Sequence, residues 1–185
     1  MKRSVVAICG IETVRDEAGH VKKFSTTFVN NMITWKKNNP KDDLVIVDAR
    51  DYLKCEDPIA ALWAAVCAAY PDGIDELIYS GHSSSEHLIV YSHVLYELSD
   101  DKRWMGFEFP FTAPFKEGAV IRLWGCQTGG QEGKKWPTSI AQTFADKSQR
   151  TVYAFVSRSS QRKRNGGFYQ VPDVGGTVRF DPKTP

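Results

Sequence analysis

The chain has 185 residues, 42% of them hydrophobic and 25% charged, with a formal net charge of +2. That length suits one domain built on one core, so residues 1–185 are read as a single unit. The ordinary balance of apolar and charged residues excludes a long disordered or fibrous chain, and so small a net charge makes no demand for a nucleic-acid or membrane partner.

The first apolar run, Ser4 to Gly10, predicts a strand. It is too short for the core of a signal peptide or for a membrane span, which points to a cytoplasmic protein. A polar loop is expected from Glu12 to Lys23. Phe24, Phe28, Met32 and Trp35, joined by Val29 and Ile33, then recur at helical spacing. Asn38-Asn39-Pro40 ends that helix, because proline cannot continue it. Leu44 to Val47 reads as the second strand. Asp57 followed by Pro58 marks a helix start with its cap, and Ile59, Leu62, Trp63, Val66, Cys67 and Tyr70 form its apolar stripe.

Leu77 to Tyr79 is the third strand, running into Ser80-Gly81-His82-Ser83-Ser84-Ser85. Leu88 to Tyr91 fits either a short strand or a helix start. Trp104 to Phe115 is an aromatic excursion among prolines, and it suits a groove lining or a cover for the sheet edge equally well. Ala119 to Trp124 is the fourth strand, followed by Gly125-Cys126-Gln127-Thr128-Gly129-Gly130. Trp136, Ile140, Ala141 and Phe144 mark a helix with Pro137 in its first turn, and Thr151 to Val156 is the fifth strand. The tail beyond Ser157 is basic and then rich in glycine and proline. Apolar strands alternating with helices predict a three-layer α/β/α sandwich on a mainly parallel sheet of five or six strands.

Four cysteines, Cys9, Cys55, Cys67 and Cys126, lie far apart with no C-x-x-C pair and no histidine at ligand spacing, which speaks against zinc. Cys9 and Cys67 fit small buried hydrophobes, and Cys55 an exposed thiol. Cys126 differs. In an open α/β sheet, functional groups collect beyond the carboxyl ends of the strands. Gly81-His82 follows one buried strand and Gly125-Cys126 the next clear one. Adjacent strands lie about 5 Å apart, so the two side chains can meet there. A thiolate is a nucleophile, and an imidazole can take its proton and later return one to a leaving amine. Backbone N–H groups in the turns around Gly81 and Cys126 can hold an oxyanion.

The segments Leu77-Ile78-Tyr79-Ser80-Gly81-His82-Ser83 and Ile121-Arg122-Leu123-Trp124-Gly125-Cys126-Gln127-Thr128-Gly129 resemble the two catalytic blocks of the caspase-like cysteine peptidases, a group that includes caspases, legumains, gingipains and separases. The resemblance implies a caspase-like fold, His82 as general base and acid, Cys126 as nucleophile, and an oxyanion hole from the backbone of Ser83 and Cys126. It implies cleavage of a protein or peptide substrate after one preferred residue, with neither metal nor organic cofactor. Many members carry His-Gly where this chain has His82-Ser83. The caspase block proper has alanine at the place of Gly125 and glycine at that of Thr128. These departures indicate a bacterial- or phage-type relative and bear on the oxyanion hole.

Other readings stand beside this one. A caspase-like fold can serve as a catalytically inactive interaction module. Gly81-His82-Ser83-Ser84-Ser85 resembles a G-x-S-x-G elbow with Ser83 as the nucleophile of a serine hydrolase, but the final glycine is missing and no histidine follows His93. Asp48, Asp51 and Glu12 lie past strand ends, where a carboxylate can orient a base, and His87 and His93 lie near the third strand. Arg158 and Arg162, with Lys163 and Arg164, occupy the region where caspase-like peptidases place part of the substrate pocket and suit an acidic side chain there. Solvated charge is the plainer reading of that segment, and nucleic acid a weak one. The sequence sets no oligomeric state.

Overall fold

A computed structural model of the chain describes residues 2–15, 17–18, 21–85, 87–90, 104–105, 113–164, 167–173 and 175–183. Six strands form one sheet: β1 (Ser4–Cys9), β2 (Asp43–Asp48), β3 (Ile74–Ser80), β4 (Phe115–Trp124), β5 (Thr151–Phe155) and β6 (Thr177–Phe180). Their order across the sheet is β2-β1-β3-β4-β5-β6. The first five run parallel, and β6 lies antiparallel on β5. The chain leaves β1 toward one edge and returns to build the other side from β3, so the order reverses between β1 and β3.

Alternation along β1 assigns the two faces. Val5, Ala7 and Cys9 pack with Phe28, Met32 and Trp35 of helix α1 (Thr27–Asn38). Val6 and Ile8 belong to the larger cluster, with Leu62, Trp63 and Val66 of α2 (Pro58–Ala69) and Ile140, Ala141 and Phe144 of α3 (Ile140–Ser148). Helices thus cover both faces of a mostly parallel sheet. Burying each large apolar side chain contributes about 1.5–3 kcal/mol, so these two clusters fix the layers. Among the described residues, no helix is long and apolar enough to cross a membrane.

Cap chemistry sets the helix starts. Asp57 Oδ1 accepts from the N–H groups of Ile59 and Ala60 at 3.1 and 3.0 Å, with Pro58 at the first helical position, as its sequence predicts. Two starts differ from expectation. Helix α1 begins at Thr27, because Phe24 closes a short strand (Val21–Phe24) that pairs with Thr13–Arg15 inside the segment read as loop. Ile33 falls off the buried stripe and is exposed. Helix α3 begins after Ser139, whose Oγ accepts from Gln142 N–H. The Trp136 N–H is held by Gly129 O at 2.9 Å, which leaves Trp136 and Pro137 in the preceding turn.

The basic tail is more ordered than its composition suggests. Ser159–Arg164 pairs with Gly167–Pro172 as an antiparallel hairpin, and β6 closes the sheet edge with Phe180 buried. The ambiguous run resolves as a strand over His87–Ile89, paired with His82–Ser83 and with Trp104–Met105. Tyr91, His93 and most of the aromatic excursion lie outside the described residues.

Candidate active site

Three strand ends and one helix start converge at the carboxyl rim. Past β1, Gly10 N–H donates to Ser80 O at 2.9 Å and Ile11 N–H to Val90 O at 2.8 Å. Ile11 is fully buried, so its neighbour Glu12 is presented at a fixed place. Glu12 O in turn accepts from Ser25 N–H at 2.7 Å, and Ser25 Oγ from Thr27 N–H at 3.1 Å. This ties the loop after β1 to the start of α1 and brings Thr27 and Phe28 to the same place.

Past β3, the Tyr79 hydroxyl donates to His82 O, and Gly81 N–H reaches Trp124 O at 3.4 Å. A Cβ on Gly81 would stand 2.4 Å from the Tyr79 hydroxyl oxygen, so only glycine fits there. The His82 ring meets Phe28 edge to face, with centroids 5.2 Å apart and planes at 88°. Its Nε2 lies 3.7 Å from Glu12 Oε1.

Past β4, Thr128 is buried and pins the turn. Its hydroxyl donates to Leu123 O at 3.0 Å and accepts from Phe155 N–H at 3.2 Å. Ser83 Oγ donates to Cys126 O at 2.8 Å. A Cβ on Gly125 would lie 2.1 Å from that same Ser83 oxygen, which requires glycine before the cysteine. Gln127, next after Cys126, has φ +59°, a left-handed conformation uncommon for a side-chain-bearing residue and held by Gln127 N–H on Ser157 O at 2.7 Å. No backbone carbonyl among the described residues accepts the Cys126 N–H.

The Cys126 sulfur faces Ser159. Ser159 N–H points to Sγ at 3.4 Å, and Ser159 Oγ lies 3.4 Å from the same sulfur. Gln170 Nε2 donates to Ser159 Oγ at 2.8 Å, which leaves the hydroxyl proton free to turn toward sulfur. The sulfur also lies 3.9 Å from Ser159 O, so Ser159 offers it both donors and an acceptor.

Glu12, Thr27, Phe28, His82, Cys126, Ser159, Ser160 and Gln170 line one cavity of about 300 Å³. The two residues singled out in sequence, His82 and Cys126, therefore line one pocket. Ser83 contributes through its hydroxyl contact with the Cys126 backbone. Arg158 and Arg162 are exposed and neither lines the cavity. Of the three carboxylates past strand ends, Glu12 lines it. Asp48 instead accepts from Arg50 N–H at 3.0 Å and pairs with the Arg50 guanidinium. Among the described residues, no group of three or more histidine, cysteine or acidic side chains is placed to hold a metal ion.

Sequence reasoning passed over Phe28, Ser159 and Gln170 as site residues. Ser159 stands just past β5, so the rule that selected His82 and Cys126 also reaches it. Gln170 arrives only through the hairpin, which no local pattern announced. Comparisons with family models, with curated proteins and with solved structures found no match.

Proposed function

We propose that the protein is a cysteine endopeptidase of the caspase-like type, with Cys126 as nucleophile and His82 as general base and acid. The observation that carries this reading is the shared cavity: an imidazole and a sulfur from successive strand ends line it together, and Ser159 donors stand at the sulfur. Concave sites with a few convergent polar groups are where such chemistry resides.

In the proposed reaction His82 removes the Cys126 thiol proton, and the sulfur attacks the peptide carbonyl carbon. A C–S bond forms, and the carbonyl π pair becomes an oxyanion. Collapse of the oxyanion breaks the C–N bond as the imidazolium gives its proton to the departing amine. Water, deprotonated by His82, then attacks the thioester. The C–S bond breaks, the acid leaves, and the proton returns to sulfur. The Cys126 N–H, with no backbone acceptor among the described residues, is suited to the oxyanion, and Ser83 contributes the second backbone donor. Ser83 Oγ is engaged with Cys126 O, which disfavours it as the nucleophile of a serine hydrolase.

Iodoacetamide separates this reading from the inactive module, because the thiolate is the species that displaces iodide. Alkylation of Cys126 ahead of exposed Cys55, with the preference lost in His82→Ala, is the expected result. Alkylation of Cys55 with Cys126 inert would mark a caspase-like interaction module instead.

A further inference from the structure

We propose that the cavity receives a cationic side chain, arginine or lysine, from the substrate residue on the acyl side of the bond to be cut; this rests on the peptidase reading above. Glu12 is the only carboxylate among the described lining residues, and they include no lysine or arginine. Arg158 and Arg162, the cations that the sequence offers for an acidic side chain, are exposed and do not line this cavity.

Glu12 is not committed to His82. The 3.7 Å from Oε1 to Nε2 exceeds hydrogen-bond reach, and both side chains are more than one-third exposed, so the pair holds weakly. The Phe28 edge supports the ring from another side. The carboxylate therefore keeps its capacity for a ligand.

Another part of the lining adds an acceptor. Gln170 Nε2 is spent on Ser159 Oγ, so this amide turns no free donor toward the cavity through that contact. Ser160 donates its hydroxyl proton to Asp173, which sets a second carboxylate behind the wall and leaves the Ser160 oxygen as an acceptor toward the cavity. A pocket with one open carboxylate, a hydroxyl acceptor and no lysine or arginine among its described lining discriminates by charge. It attracts an ammonium or guanidinium and repels a carboxylate.

Three acyloxymethyl ketone probes, identical except for arginine, norleucine or aspartate at the terminal residue, test this on the full chain. The thiolate attacks the methylene carbon, a thioether forms, and the acyloxy group leaves as carboxylate, so intact-mass spectrometry reads the rate at Cys126 directly. The arginine probe is expected to react at least about tenfold faster than norleucine, with aspartate slowest. Glu12→Gln should bring arginine and norleucine within about threefold, and Glu12→Lys should favour aspartate. Equal rates for the three probes, or a preference for aspartate, would overturn the inference. So would a Glu12→Gln variant that slows all three alike, which would make Glu12 a positioning residue for His82. Absence of any labelling at Cys126 overturns the peptidase reading itself, a result distinct from labelling without preference.

Discussion

The amino rim of the sheet and the cavity at its carboxyl rim treat charge in opposite ways. At the amino rim every buried acid among the described residues is answered. Glu76, with its side chain 1% exposed, pairs with Arg3 at 2.7 Å and with Arg122. Asp42 pairs with Arg3, and Asp75 takes Lys116 Nζ at 2.8 Å and Ser4 N–H at 2.7 Å. Arg122 also lies over the Tyr153 ring at 4.9 Å. At the carboxyl rim, Glu12 Oε1 stands 3.7 Å from His82 Nε2 and Gln170 Oε1 has no donor. Charges that consume one another belong to the frame, and charges left unspent around a cavity are available for chemistry.

Breaking the carboxyl rim should remove activity and leave the fold. Cys126→Ala is expected to lower peptide hydrolysis by more than about a thousandfold, with the thermal midpoint unchanged, as read by a fluorogenic peptide and by calorimetry on one sample. Breaking the amino rim should do the reverse. Glu76→Ala leaves two guanidinium groups facing a vacated buried site, at about 3 kcal/mol. For a chain of this size that lowers the midpoint by about 6–12 °C, while kcat measured well below the transition stays near wild type. A Glu76→Ala protein that melts normally but has lost kcat would show that the two rims are not separable.

A finer contrast lies inside the site. Ser159→Ala removes the hydroxyl at 3.4 Å from sulfur but keeps the N–H, so kcat/KM should fall by about tenfold rather than vanish. Gln170→Ala, one step further back, should cost less than Ser159→Ala in the same assay. The reverse order would mean that Gln170 acts on substrate rather than through Ser159.

The sequence made the centre of the molecule legible and its periphery obscure, for a physical reason. Strands buried on both faces read as continuous apolar runs, so Val5 to Cys9 and Leu77 to Tyr79 announce themselves, while Ile121, Leu123 and Trp124 show through around Arg122, and the rule of the carboxyl rim then selects His82 and Cys126. Edge elements are half-solvated and carry no such signal. The hairpin from Ser159 to Pro172 is polar and held by backbone pairing, so Gln170 reached the site unseen. Thr13–Arg15 and Val21–Phe24 hid inside a charged segment for the same reason, and took Phe24 out of the helical stripe. Charge matching is harder still to foresee. Arg3, Asp42, Glu76 and Arg122 are distant in sequence, and the register of β1, β2, β3 and β4 alone sets them side by side.

The smallest expected effect is the pH dependence of the amino rim. The Arg3 guanidinium, hydrogen-bonded to Asp42, holds that carboxyl below its ordinary value, against the opposing push of burial. An acid whose folded value is depressed binds fewer protons folded than unfolded, so stability rises with pH across that window. The contribution is complete above the unfolded value of about 4, and it is lost as pH falls through the lower folded one. Asp75 acts in the same direction: burial pushes it up, but Lys116 and Ser4 N–H together outweigh that and leave it lowered. In Asp42→Asn the first contribution is absent at every pH. Urea midpoints between about pH 5 and pH 3 should therefore fall less steeply in the variant than in the wild type, by about 1 kcal/mol or less given the half-exposed Arg3. Parallel midpoint curves would show that the Arg3–Asp42 pair is as well solvated as an ordinary surface pair, and would leave Glu76 as the acid that holds this rim.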